Sequence, residues 1–238
     1  MEVDILALGA HPDDVEISCC GTLLHHVYLG YKIGIIDLTS GELGTRGHAA
    51  LRLEEANAAS SKIGAVVRGN LEMADAFFEY KQTNVLKVIE MLRLFRPRIV
   101  LASAISDRHP DHGRAAKLVA DACFYAGLPK IKTVWNEQAQ TAWRPNVVYH
   151  YIQDYNLAPD FVMDISSYMD RKIEIIKTYQ SQFYNPHSTE PNTPISGKDF
   201  LEFVRSKNRT YGRAAGFEYA EGFRVNRTIG VNNLFQLF

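Results

Sequence analysis

Three cysteines in 238 residues, Cys19, Cys20 and Cys123, are too few and too badly spaced for a disulfide framework. Cys19 and Cys20 are neighbours, which rarely bridge each other, and no CxxC occurs. The thiols are therefore expected as small buried residues of a cytoplasmic protein in a reducing compartment. An excess of either charge is also missing: 26 Lys and Arg against 27 Asp and Glu give a net charge of −1. With the basic residues dispersed as well, there is no electrostatic case for nucleic acid or an anionic membrane as the main partner. No apolar run is long enough to span a bilayer. The opening MEVDILALGAH carries Glu2 and Asp4 where a signal peptide would be basic. GxGxxG, GxxxxGK[ST] and GxSxG are all lacking, so dinucleotide, P-loop and serine-hydrolase readings lose their main support. Solenoid-period repeats and low-complexity tracts are absent too.

What is there suits one globular domain: 46% of residues are hydrophobic, enough for a substantial core. Short apolar runs alternate with segments of helical periodicity. VDILALG (3–9), KIGIIDLTS (32–40), AVVRGNLEM (65–73) and RIVLAS (98–103) read as strands. Between and after them, residues 15–30, 51–64, 83–95 and 112–127 read as helices, with Gly64 and Pro97 as stops. That alternation implies an α/β, doubly wound, mostly parallel sheet with helices on both faces. Further on, 146–154 and 161–165 read as strands, and 166–183 and 200–216 as helices. Residues 1–130 are expected to form the sheet core and 131–238 a cover within a single domain spanning 1–238. The loop rich in Pro, Ser, Thr and Asn at 185–199 is a candidate lid. The uncharged tail IGVNNLFQLF is a candidate interface in a homo-oligomer.

Two sequence-distant copies of one tripeptide carry the chemistry. GAHPDDVEI (9–17) follows the first strand and RHPDHGR (108–114) follows the fourth. A single copy is explained by helix capping, since Pro12 suits a first turn and Asp13 or Asp14 suits the helix dipole. A given tripeptide is an event on the order of 10⁻⁴ per position, so two copies at strand ends call for another reason. In an open α/β sheet with order 3-2-1-4, strands one and four flank the crevice where ligands bind. His11 and Asp14, three apart at a helix start, can face one point, and His112 supplies a third donor. Two imidazoles, a carboxylate and one open position are what a catalytic zinc requires, although Fe2+ or Co2+ also suit the set. Spacing does not say which of Asp13 and Asp14 binds the metal; the other is placed to act as general base. His109 is a candidate donor to the developing oxyanion or the leaving amine. Asp111 is placed to fix a histidine tautomer.

These motifs resemble the LmbE-like (PIG-L) family of zinc-dependent N-acetylglucosamine deacetylases. SGELGTRG (40–47), RLEEA (52–56), SDRHPDHGRAA (106–116) and EYAEGF (218–223) look like its bacillithiol-biosynthesis branch. The resemblance implies one Zn2+ per subunit held by His11, Asp14 and His112, with Asp13 as general base and His109 stabilising the transition state. It also implies N-acetylglucosaminyl malate as substrate and assembly into homo-oligomers, hexamers included. Mycothiol deacetylases place a tyrosine where this chain has Asp107, which speaks against a mycothiol-type substrate. Arg46 and Arg52, in and just after the loop following the second strand, and Arg108 beside the second motif are candidate substrate contacts, because guanidinium forks suit sugar hydroxyls and a malate carboxylate. Glu42, in that same loop, is a candidate for a sugar hydroxyl or a backbone cap. Arg52 with Glu55 reads equally as a solvated helix pair. Two alternatives stand beside this reading. One is a deacetylase of another N-acetylglucosamine derivative such as diacetylchitobiose. The other is a non-catalytic sugar- or nucleotide-binding module whose HPD motifs are only caps.

Overall fold

The protein is described by a computed structural model covering residues 1–236; the last two residues of the apolar tail, Leu237 and Phe238, lie outside the described residues. Four βα units open the chain: β1 (Ile5–Gly9), α1 (Asp14–Tyr28), β2 (Ile33–Thr39), α2 (Ala49–Ile63), β3 (Val67–Met73), α3 (Gln82–Phe95), β4 (Ile99–Ala102) and α4 (Pro110–Ala126). There follow a short hairpin of β5 (Val134–Trp135) and β6 (Gln138–Ala139), then β7 (Val147–Tyr151), β8 (Phe161–Asp164), α5 (Met169–Ile176), α6 (Phe200–Ala214) and β9 (Ala220–Val225).

The main sheet has the order β3-β2-β1-β4-β7-β9-β8. The first five of these are parallel, and β9 runs antiparallel to both its neighbours. This is the α/β class and the 3-2-1-4 order expected from the sequence. The physical cause is visible in β1 and β2, where every residue is buried. Alternate side chains serve opposite faces: Ile5, Ala7, Ile33 and Ile35 pack with α1, α2 and α5 on one side. Leu6, Leu8, Ile36 and Leu38 pack with α3 and α4 on the other. A strand buried on both faces reads as a continuous apolar run, and helices must cover each face. Gly64, at φ 88°, takes the left-handed conformation that ends α2. Gly21 lets α1 approach Ile165, whose Cγ2 would lie 2.7 Å from an added Cβ.

The second half departs from expectation in three places. The helix expected over 166–183 is a 3-10 turn at Ser166–Tyr168 followed by α5, which ends at Ile176. Beyond it, side-chain bonds outcompete the helix: Ser181 donates through N and Oγ to the Glu55 carboxylate, and Gln182 Nε2 donates to the Arg46 carbonyl. Strand β9 was hidden in EYAEGFRV because its Glu221 is buried. That carboxylate accepts from Lys172 Nζ at 2.6 Å and from Gly21 N, Thr22 N and Thr22 Oγ. The β5–β6 hairpin was also not anticipated. Among the described residues all three cysteines are free and buried, and no helix is long and apolar enough to cross a membrane.

Candidate metal and catalytic site

The winding of the sheet reverses between β1 and β4, and both HPD segments emerge there from the carboxyl ends of those strands. His11, Asp13, Asp14, Arg52, Asp75, Arg108, His109, His112 and Gln153 line one cleft, together with Thr193–Ile195 of the 185–199 loop. That loop is tied to the rim by Glu190, which accepts from Gly47 N at 2.8 Å.

Asp14 sits at the centre of the arrangement, buried between two imidazoles. Its Oδ2 lies 3.5 Å from His11 Nδ1, and its Oδ1 lies 3.2 Å from His112 Nε2. The His11 and His112 rings are 5.8 Å apart between centroids. Each imidazole is oriented from behind by carboxylate. His11 Nε2 faces Asp75 Oδ1 at 3.0 Å and Asp111 Oδ2 at 3.2 Å, while His112 Nδ1 faces Asp107 Oδ2 at 2.5 Å. Those carboxylates are held in turn. The Ala76 backbone N–H donates to Asp111 Oδ2, Arg114 donates to Asp111 Oδ1, and Leu43 N donates to Asp75 Oδ2. The remaining ring atoms, Nδ1 of His11 and Nε2 of His112, converge on Asp14.

The electrostatics follow from burial and pairing. Burial alone would favour neutral imidazoles, but for His11 the bonds to Asp111, Asp14 and Asp75 outweigh it and raise its pKa well above the ordinary value. Burial likewise opposes charge on His112, yet the Asp14 charge and the Asp107 bond push it up to about 9. Burial would raise Asp14, but the His112 charge and the bonds from both histidines hold it well below the carboxylate range. Asp75 is similarly held at about 2 against its burial, chiefly by His11.

The donor set fits a divalent cation. The raised pKa values favour imidazolium forms whose two protons offset part of the charge of Asp14, Asp75, Asp107 and Asp111; an ion of charge 2+ between the rings and Asp14 would replace those protons with the same total charge. His109 is near enough to enter a three-imidazole set with His11 and His112. Its Nδ1, however, accepts from Asp111 N at 3.3 Å and caps α4. His11, Asp75 and Asp111 also cluster, but their contacts are those of carboxylates orienting an imidazole.

Asp13 is different in kind. It occupies the N-cap position of α1 at φ 113° but makes no side-chain capping bond. Its carboxylate lies 3.4 Å from Arg52 Nη2. Burial raises its pKa to about 7, with Arg52 pulling it down and Asp14 pushing it up. His109, half-buried, has its pKa lowered by burial and by the charges of His11 and His112. With Nδ1 an acceptor, its neutral ring carries the proton on Nε2.

The candidate substrate contacts divide. Arg108 lies at the cleft rim, 41% exposed, in a single ion pair of 2.6 Å with Asp154. Arg52 lines the cleft too, but its fork is taken up by the carbonyls of Gly41 and Pro12 and by Asp13. It makes no pair with Glu55, whose partner is Ser181. Arg46 is buried against the Phe183 carbonyl and Glu190, and Glu42 accepts from Asp75 N. Asp75 and Gln153, whose Nε2 donates to Asp14 Oδ1 at 2.7 Å, were missed. The available signal for Asp75 was its place just past β3, on the same rim as the two motifs.

Residues 6–123 match the family described as PIG-L: GlcNAc-PI de-N-acetylase. The conserved protein TT1542 from Thermus thermophilus superposes with a TM-score of 0.85 at 32% identity, over 97% of this chain and 98% of that one. The chain belongs to the PIG-L/LmbE-like family. A diacetylchitobiose deacetylase of Thermococcus kodakarensis is 28% identical over 231 residues, 92% of this chain and 82% of that protein. A 4-oxalmesaconate hydratase of Pseudomonas putida is 24% identical over 235 residues, 92% of this chain and 87% of that protein.

Proposed function

We propose that the protein hydrolyses the N-acetyl group of an N-acetylglucosaminyl conjugate, N-acetylglucosaminyl malate of bacillithiol biosynthesis in particular, with one Zn2+ per subunit. The observation that carries the reading is the Asp13–Asp14 pair: one carboxylate set between two imidazoles, its neighbour buried, free of the helix and poised near neutrality. His11 Nδ1, Asp14 and His112 Nε2 would hold the ion. When bound it supplies Lewis acidity, activating water and polarising the acetamide carbonyl.

The chain's own groups move the protons. Asp13 takes one from the attacking water, and its pKa near 7 suits it both to accept that proton and to return it to the departing amine. Acetic acid and the free amine then account for all atoms of amide and water, and the acid's proton passes to the amine or to solvent at neutral pH. Arg52 fixes the Asp13 carboxylate and the Pro12 carbonyl, so its role is to aim the base. His109, tethered through Nδ1, offers Nε2–H to the carbonyl oxygen as it gains charge. Arg108 at the rim, with its single exposed ion pair, exchanges Asp154 for the malate carboxylate. The homo-oligomer would use the tail, where Ile229, Val231, Leu234 and Phe235 are exposed.

The test compares kcat/KM of the zinc-loaded protein on N-acetylglucosaminyl malate, diacetylchitobiose, free N-acetylglucosamine and 4-oxalmesaconate. The malate conjugate is expected to lead. A lead for diacetylchitobiose, which the likeness to the Thermococcus enzyme favours, would replace the malate assignment. Turnover of 4-oxalmesaconate alone would overturn the deacetylase reading.

A further inference from the structure

Three separate groups of the site are held by one short strap, residues 153–155, which follows β7. Gln153 Nε2 donates to Asp14 Oδ1 at 2.7 Å. The backbone N–H groups of Asp154 and Tyr155 donate to Asp107 Oδ1 at 3.0 and 2.9 Å, and Asp107 Oδ2 holds His112 Nδ1. The Asp154 carboxylate holds Arg108. The strap therefore reaches both an Asp and a His at the centre of the site, each through a hydrogen bond or a two-bond relay.

The strap has no ladder to fix it, because β7 ends at Tyr151. Asp107 ties its N–H side, and Lys207 on α6 ties its carbonyl side. Its Nζ donates to the carbonyls of Gln153, Asp154 and Tyr155, the last two at 3.0 and 2.9 Å. Three consecutive carbonyls turned toward one ammonium use all three of its donors, so its hydrogen bonds all go to the strap's backbone. The helix beneath is itself anchored: Phe200 and Val204 enter the main core, and Tyr211 OH donates to the Leu157 carbonyl just past the strap.

We infer that Lys207 is a positioning residue for the metal site, acting through the 153–155 strap to set Asp14 and, by way of Asp107, His112. The inference rests on the metal site proposed above and adds to it a residue far from the cleft motifs in sequence. Outer-shell partners of metal ligands change affinity by roughly 10- to 100-fold when removed. Lys207 stands one bond further out but governs two such partners at once.

The experiment measures zinc affinity of the full-length protein by competition with a chromophoric chelator, and the visible spectrum of the Co2+-loaded form. Wild type, Lys207→Met and Lys207→Arg are compared, with the apo melting temperature of each as a control for folding. Lys207→Met is expected to weaken zinc by about 10-fold or more and to shift the Co2+ bands, with Lys207→Arg recovering part of both. Unchanged affinity and an unchanged Co2+ spectrum in a folded Lys207→Met overturn the inference. Should that variant fail to fold, Lys207→Gln and Gln153→Leu carry the test, and wild-type affinity in both overturns it equally. Failure of the wild type to bind zinc would instead overturn the metal site itself.

Discussion

His112 Nδ1 and Asp107 Oδ2 stand 2.5 Å apart, and this contact decides which ring nitrogen of His112 faces Asp14. Asp107 also accepts two backbone N–H bonds, so it cannot follow the ring if the ring rotates. Asp107→Leu is accordingly expected to reduce zinc affinity by roughly 10- to 100-fold, read by chelator competition. Wild-type affinity in that variant would show that His112 needs no orienting partner.

The Asp13 carboxylate bonds Arg52 and makes no capping bond to α1, so its replacement by an amide is expected to spare the ion. Asp13→Asn should retain one equivalent of zinc and lose about 10²- to 10⁴-fold in kcat on the acetylated substrate. Metal analysis beside steady-state rates checks both halves. Deacetylation at the wild-type rate would remove Asp13 from the mechanism.

The raised imidazoles set a pH dependence with opposite signs in the two forms. His112 titrates at about 9 in the apo fold against 6.5 unfolded. Its stabilising contribution is full below pH 6.5 and is lost as pH rises through 9. Apo stability from this source therefore falls across that window, while zinc affinity rises because fewer protons must leave. Calorimetric titration with Zn2+ at pH 7, in buffers of different ionisation enthalpy, is expected to show release of about two protons. No net proton release would contradict the charged state derived for the apo site.

Lys172 and Glu221 form an ion pair with both side chains at 0% exposure, clamping α5 to β9 and to the middle of α1. Lys172→Met leaves that carboxylate buried without its cation and should cost about 3–5 kcal/mol in denaturant unfolding. A loss below about 1 kcal/mol would mean that the Gly21 and Thr22 donors alone satisfy Glu221.

Much of this was legible in the sequence. Continuous apolar runs spaced by helical periods pointed to the parallel sheet, because strands covered on both faces have no polar side to show. The 3-2-1-4 order entered only as the usual order of doubly wound sheets, and the structure has it. The paired HPD segments pointed to one rim for the same topological reason. What sequence could not show was the shell behind the ligands. Asp75, Gln153 and Lys207 come from different loops and a distant helix, and no local spacing links them to His11 or Asp14. Arg52 was visible as a cleft residue, but not that two backbone carbonyls and Asp13 would occupy its fork. Periodicity also overextended the helix at 166–183, where Glu55 and Arg46 capture Ser181 and Gln182.

In the proposed site the two HPD segments grip a single divalent ion. Elemental analysis of the full-length protein after zinc loading and gel filtration tests it most directly, in wild type, Asp14→Asn and His112→Ala. One zinc per chain is expected in the wild type and near none in either variant. A full equivalent retained in both variants, or none in the wild type, would contradict it.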